Sequence, residues 1–386
     1  MASGTVSPMN AVGHPAPQIS SAPPRRSVDA RPPLRDVEVI ATNFKRRLSG
    51  VTSTLERVVP VQAREVGIAA LGPGLSADLP RLRFRDLVGG WRRPANRPCR
   101  IWHARRNIEM LPGWLLRDLL RMPVKVVFTS ASQRHHTAWS RFLISRMDAV
   151  IATSSKTAEY LHRESTVVRH GIDVEVFQPA GDLREAKRAI GLKDALLERR
   201  LVGCFGRIRR QKGTDVFVDA MLDLLPSRPD VAAVVLGRAT EAHLGFQAEL
   251  KHKAADRGLA DRIFFAGEVA PKETPAWYRV LDLFIAPQRW EGFGVTPLEA
   301  MASGVPVVAT TVGAFEELVV EGATGSLIAP GEVAPMVEAA ARWLDDSAAL
   351  AAASRAAREH VAREFSLESE AAGINAVYER VWSDGR

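Results

Sequence analysis

One rhythm constrains this chain more than any other feature, and it runs twice. Short apolar runs rich in β-branched residues alternate with amphipathic stretches of helical length. The first series holds VEVIATN (37–43), VGIAALG (66–72), RIWHA (100–104), VKVVFTS (124–130) and DAVIATS (148–154), with helical segments at 51–65, 112–121 and 137–147 separating several of them. STVVRHGID (165–173) is a further strand running into a loop, and residues 171–181, with Pro179 and no clear period, read as a hinge. The series then restarts with LVGCFG (201–206), VAAVVLG (231–237), RIFFAG (262–267), DLFIAP (282–287), VPVVAT (305–310) and GSLIAP (325–330). Helical segments at 332–345, 347–364 and 367–382 close the chain. Continuous apolar strands alternating with helices belong to parallel sheets covered on both faces. The expected fold is α/β: two doubly wound Rossmann-like domains, 36–170 and 182–366, facing a cleft. The last helix, 367–386, is placed to cross back to the first domain. In such sheets ligands bind beyond the carboxyl ends of the strands.

The 386 residues suit two domains. Residues 1–35 hold seven prolines and no apolar period, the signature of a disordered leader. The opening MASGTVSPMN has neither the basic nor the apolar region of a secretory signal. No run approaches the ~18 apolar residues of a membrane span. Two cysteines, Cys99 and Cys204, exclude a disulfide framework and a multi-cysteine zinc site, and fit a reducing cytoplasm. The net charge of +8 is polarised: residues 1–179 carry +13 and residues 180–386 carry −5. Such a division points to two jobs, with the anionic partner on the first half. No helix-turn-helix or aromatic-basic sheet pattern supports nucleic acid.

Two motifs concentrate the chemistry. Glu291-Gly292-Phe293-Gly294-Val295-Thr296-Pro297-Leu298-Glu299 directly follows the strand DLFIAP. Its glycines let the backbone approach a ligand, and the helix that follows offers free N–H groups to an anion. Thr296 to Glu299 also reads as a capping box, so Glu299 is either a cap or a ligand group. Gly206-Arg207-Ile208-Arg209-Arg210-Gln211-Lys212-Gly213 follows LVGCF, and Arg207 with Lys212 suits a diphosphate. The order Lys-Gly-Thr is not that of a Walker loop. LGPGLSA (71–77) fails as a dinucleotide fingerprint, because Pro73 and Pro80 spoil the helix it needs.

At these stretches the chain resembles the retaining sugar-nucleotide glycosyltransferases of family 4, which have the two-domain GT-B fold. Glu291 and Glu299 match the family's E-x7-E motif, and Arg207 and Lys212 match its donor-phosphate pair. PLEAMASGVPVVAT (297–310) is a further hallmark, and HGID (170–173) resembles the Asn-Gly-Ile-Asp hinge motif, with His170 in place of Asn. The resemblance implies that Glu291 contacts the donor sugar hydroxyls and Glu299 the ribose. It places Gly206, Arg207, Lys212, Gly292, Phe293, Gly294 and Val295 in the donor site. It also implies that no metal or cofactor is required. Members often carry a His after a first-domain strand, near the reacting sugar. Here that point holds Thr129 and Ser130, so His136 and His103 join Glu291 as catalytic candidates.

For the acceptor, Lys45, Arg46, Arg47 and Gly50 lie in the loop after the first strand, with Arg105 and Arg106 nearby. Such cations suit a carboxylate or phosphate. IWHARRNIEM, SASQRHHTAW and APQRWEGFGVTPLEAMASG look most like bacterial lipopolysaccharide-core mannosyltransferases. That subfamily implies GDP-mannose as donor and an acidic, Kdo-containing lipid A precursor as acceptor. The expected place is the cytoplasmic face of the inner membrane. LPGWLLRDLLRM (111–122) either rests on that membrane or packs on the sheet as an ordinary helix. The alternatives are a UDP-glucose-class donor, a polyprenyl-linked acceptor, a nucleotide-sugar epimerase of the same fold, or a basic polyanion-binding protein.

Overall fold

In a computed structural model, which describes residues 30–46 and 50–384, the apolar runs form two separate parallel sheets. The first holds β1 (Val39–Thr42), β2 (Ile68–Leu71), β3 (Arg81–Leu82), β4 (Arg100–Ala104), β5 (Val124–Ser130), β6 (Ala149–Ala152) and β7 (Thr166–Val167). Their order is β3-β2-β1-β4-β5-β6-β7. The second holds β8 (Arg200–Phe205), β9 (Val231–Leu236), β10 (Ile263–Gly267), β11 (Leu283–Ala286), β12 (Val307–Thr310) and β13 (Gly325–Ile328), in the order β10-β9-β8-β11-β12-β13. Each sheet reverses direction of winding at its first strand: β1 lies between β2 and β4, and β8 between β9 and β11. Crevices open at such switch points. The loops after β1, β4, β8 and β11 are the ones that carry the sequence motifs.

The second unit buries its strands between two apolar layers, one around Phe284, Leu298 and Phe315 and the other around Phe217, Met221 and Met336. The first is covered on one face by helix Gly50–Gln62 and, beside it, by the C-terminal helix Leu367–Ser383, which brings Tyr378 and Trp382 into that core. An aromatic side chain buried this way contributes on the order of 3 kcal/mol. Polar contacts fix the seat: Gln62 Nε2 donates to Asn375 Oδ1 at 2.8 Å, and the Trp382 indole to the Cys99 carbonyl at 3.0 Å. The chain thus passes between the units twice, and the two passages touch. Ile172 N donates to Phe365 O at 2.8 Å, and Leu367 N to Ile172 O at 3.1 Å. Gly171 is needed there, since a Cβ would meet the Ser366 carbonyl oxygen at 2.2 Å.

Three local expectations need correction. β3 is a two-residue edge strand after Pro80, too short to show a pattern. The segment read as a helix from 112 starts earlier: the helix runs Asn107–Trp114, with Pro112 inside it, and Leu115–Leu119 form a wider π turn. Proline at a first helical position is the common case, but Pro112 sits mid-helix, where it cannot donate to the Ile108 carbonyl. Residues 30–35, assigned to the leader, are ordered: the Ala30 carbonyl accepts from Arg81 N at 3.0 Å, and Leu34–Asp36 form a 3-10 turn.

Candidate active site

The two motifs of the second unit meet over the end of its sheet. Gly213 has φ +70°, and a Cβ there would stand 1.8 Å from the Pro287 carbonyl oxygen, so the basic loop lies flat against the end of β11. That contact brings Lys212 Nζ into an ion pair with Glu291 Oε2, both side chains about four-fifths buried. Gly294, at φ +86°, leaves no room for a Cβ, which would meet the Phe315 ring at 2.3 Å. Gly292 abuts the Ala131 carbonyl of the first unit, 2.8 Å from where its Cβ would be. The glycine loop therefore touches the far side of the cleft.

Around this pair is a cavity of about 380 Å³. Lys212, Glu291, Gly292, Phe293, Gly294 and Val295 line it, as do Gly50 and Arg105 from the first unit. Gly206 and Arg207 are exposed on the loop after β8 and do not line it. Thr296 Oγ1 is buried without a protein partner and belongs to a lining residue, so it is free to bond a ligand.

Glu299 is not a helix cap. The helix Thr296–Ala302 has Val295 as N-cap, with no side-chain capping bond. The Glu299 carboxylate instead accepts from the Tyr278 hydroxyl at 2.9 Å and lies 3.9 Å from Arg57 Nη1 of helix Gly50–Gln62. Burial raises its pKa, and Arg57 and the Tyr278 hydroxyl work against that rise. Burial, with Glu299 beside it, also holds the Tyr278 phenol well above its usual range. Neither Tyr278 nor Arg57 was legible in the sequence, because each meets Glu299 only through the fold.

His103 must be removed from the catalytic candidates. It is fully buried in β4, its Nδ1 2.5 Å from the Tyr378 hydroxyl and its Nε2 2.7 Å from Thr129 Oγ1. With both nitrogens held, it clasps the C-terminal helix to the first sheet and has no route to substrate. Burial, then Arg105, holds its pKa well below the usual imidazole value. His136 lines a different, neighbouring cavity, where its Nε2 is buried without a partner and burial lowers its pKa. The imidazole that does line the Glu291 cavity is His170, the hinge residue. Its Nδ1 is 2.8 Å from Glu370 Oε1, and its ring stands edge-on to Phe293 at 4.8 Å. The sequence signal was there, in the departure from Asn at the hinge motif.

The neighbouring cavity, about 600 Å³, is lined by Lys45, Arg105, Arg106, Arg134, His135 and His136 among others. It shares Val51, Arg105 and Ala131 with the first cavity. Arg105 Nη1 is buried there with no protein partner. Arg106 is turned inward, to Glu109 Oε1 at 2.7 Å and Asn43 Oδ1 at 2.9 Å, and so braces the loop after β1. Arg46 is exposed on that loop, away from both cavities, and Arg47 lies outside the described residues. Among the described residues no cluster of three His, Cys, Asp or Glu is placed to hold a metal ion.

Comparison with known proteins agrees with this arrangement. The family model for glycosyl transferases group 1 matches residues 188–360. The chain is 62% identical over 350 residues to the lipopolysaccharide core biosynthesis mannosyltransferase LpsB of Rhizobium meliloti, covering 90% of this chain and 98% of that protein. It is 51% identical over 356 residues to LpcC of Rhizobium leguminosarum, of the same description, covering 92% and 99%. Among solved structures, Anabaena HepE in complex with UDP superposes with a TM-score of 0.74 at 18% identity, over 89% of this chain and all of that one. Sucrose-phosphate synthase from Thermosynechococcus elongatus gives 0.70 at 18%, over 90% and 99%. Those two likenesses speak to the fold alone: two parallel-sheet domains in the GT-B arrangement. With the relatives' identity spanning nearly the whole chain, this protein belongs to the glycosyl transferases of group 1, and it is a glycosyltransferase.

Proposed function

We propose that the enzyme moves mannose from GDP-mannose, with retention, onto an acidic Kdo-containing lipid A precursor at the cytoplasmic face of the inner membrane, without a metal. The observation that carries this reading is the junction of the two cavities. The Lys212–Glu291 pair faces one, cations line the other, and Arg105 stands in both. The names of the two rhizobial relatives support the choice of sugar and acceptor. In this reading Glu291 takes the sugar hydroxyls and Lys212 the diphosphate, with Arg207 approaching from its exposed loop. The bond from the anomeric carbon to the diphosphate breaks, and the acceptor hydroxyl attacks from the same face. The helix beyond Gly294 has only seven residues, so its dipole is short and Lys212 supplies most of the charge stabilisation. Lys45, Arg105 and His136 face the acid groups of the acceptor. Exposed Ile108, Leu115, Trp139 and Phe142, on adjacent helices beside that cavity, support peripheral contact with the bilayer. Initial rates with GDP-mannose and with UDP-glucose, on a Kdo-bearing lipid A acceptor, test the reading. Turnover with GDP-mannose is expected. Turnover with UDP-glucose alone, or hydrolysis of either donor without transfer, overturns it.

A further inference from the structure

A second cavity of the first unit lies outside the cleft. It measures about 510 Å³ and is lined by seven arginines and one carboxylate, Asp86. The carboxylate is already engaged: Asp86 Oδ2 accepts from Arg83 N at 2.7 Å, and Oδ1 is 4.0 Å from Arg85. One wall is Arg100, 1% exposed, whose guanidinium donates only to carbonyls: Leu34 at 2.8 Å, Val37 and Gly90 at 3.1 Å, and Arg92. This buried cation therefore ties the segment 84–92 to the sheet without neutralising its own charge. A concave site of one sign concentrates counter-charge. Its rim is apolar. Leu87 packs inward on the core, while Phe84, Val88 and Trp91 are exposed. The Trp91 indole donates to the Leu120 carbonyl at 2.9 Å, and joins them to the exposed pair Leu119 and Leu120.

Phosphate recognition alone would explain the arginines but not the rim. Nucleic acid would be served by stacking platforms within a polar groove, not by exposed valine and leucines. Aromatic and aliphatic side chains beside arginines are the combination that suits the interface of an anionic bilayer. We propose that this cavity takes the phosphate of an anionic lipid headgroup while Phe84, Val88, Trp91, Leu119 and Leu120 enter the interface. The inference rests on the reading that the enzyme works at a lipid surface, and it adds a headgroup site to the apolar contact beside the acceptor cavity.

The test is flotation of the full chain with vesicles of phosphatidylcholine alone or mixed with phosphatidylglycerol. Binding is expected to rise with the anionic fraction and to fall with salt. The triple variant Arg83→Ser, Arg85→Ser, Arg92→Ser should lose about a hundredfold in partitioning, on the order of fivefold per arginine. Val88→Ser with Trp91→Ser should weaken binding to both vesicles without changing the salt dependence. GDP affinity, and turnover on a detergent-dispersed acceptor, should be unchanged in both variants, which controls for folding and separates this proposal from the reading of the active site. Vesicle binding that survives the triple variant overturns the proposal. So does an arginine-dependent response to inorganic phosphate or to an RNA oligonucleotide without vesicle binding.

Discussion

Removing the charge of Glu291 should strengthen the binding of GDP while nearly abolishing transfer. Lys212 is ion-paired with Glu291, and the side chains are only 22% and 18% exposed. A diphosphate that takes the ammonium must compete with that carboxylate. A fully exposed pair is worth about 0–1 kcal/mol, and a charge-assisted hydrogen bond about 1.5–3 kcal/mol. With both groups largely out of water, roughly 1 kcal/mol of competition is a fair magnitude, or about fivefold in Kd. Glu291→Gln should therefore bind GDP up to about fivefold more tightly. The same variant loses the carboxylate that the proposed mechanism assigns to the donor sugar, and its kcat should fall by about 10²–10³, the usual cost of removing one group that acts on the transition state. Lys212→Ala should weaken GDP by about 10–100-fold, since a charged partner of the diphosphate is lost. In the double variant the gain from Glu291→Gln should vanish, giving a coupling energy of about 1 kcal/mol. Titration calorimetry with GDP and initial rates with GDP-mannose measure both quantities. If Glu291→Gln weakens GDP in parallel with turnover, the carboxylate serves the nucleotide or the loop fold, and the division of roles between Lys212 and Glu291 is wrong.

Three further outcomes follow from the geometry. Burial, then Arg105, holds the His103 imidazole neutral in the folded state, whereas the unfolded chain takes up a proton near the ordinary value of 6.5. The stability contributed by neutral His103 is complete above that value and is lost as the pH falls below it. Thermal melts of His103→Asn should decline less steeply from pH 7 to pH 5 than those of the parent, and equal slopes would refute the clasp; His136 and His360, also depressed by burial, keep some slope in both. Gly213→Ala forces a left-handed backbone on alanine and sets a Cβ 1.8 Å from the Pro287 carbonyl oxygen. It should cost at least about 1–3 kcal/mol and weaken nucleotide binding, read by melting temperature and GDP affinity. Arg105→Leu removes a buried guanidinium whose Nη1 has no protein partner, so the melting temperature should hold or rise while the acceptor KM climbs about tenfold or more. An unchanged acceptor KM would remove Arg105 from the acceptor site.

The fold was legible because its signal is periodic. Buried parallel strands such as Val231–Leu236 have no polar face, so they stand out as apolar runs between helices. What the sequence hid depends on partners far along the chain. Thr296 to Glu299 obeys the local rule for a cap, yet the carboxylate is drawn to Tyr278 and Arg57, the latter 242 positions away. His103 carries the residue type of a catalyst, but Tyr378 from the C-terminal helix occupies one nitrogen and Thr129 the other. β3 was invisible for a simpler reason, since two residues after a proline cannot show alternation.

The division of charge between the halves has a second use inside the molecule. Arg57 meets Glu299, Lys156 meets Glu316 and Arg169 meets Glu317. Arg64 and Arg97 likewise meet Glu368 and Glu379 of the C-terminal helix. In each pair among the described residues that joins the two halves, the base comes from residues 1–179 and the acid from residues 180–386. Singly, such pairs contribute little, about 0–1 kcal/mol for the exposed ones. Three of them, Arg57–Glu299, Lys156–Glu316 and Arg169–Glu317, draw the first unit toward the second across the cleft, while the others seat the C-terminal helix on the first unit. Arginines of the acceptor cavity and of the arginine-lined cavity outside the cleft pair within their own half instead, Arg106 with Glu109 and Arg85 with Asp86. A basic half facing an acidic half thus does two things that a uniformly basic protein could not. It closes on its own partner domain through paired charges, and it keeps Arg105, whose Nη1 has no protein partner, at the junction of the two cavities.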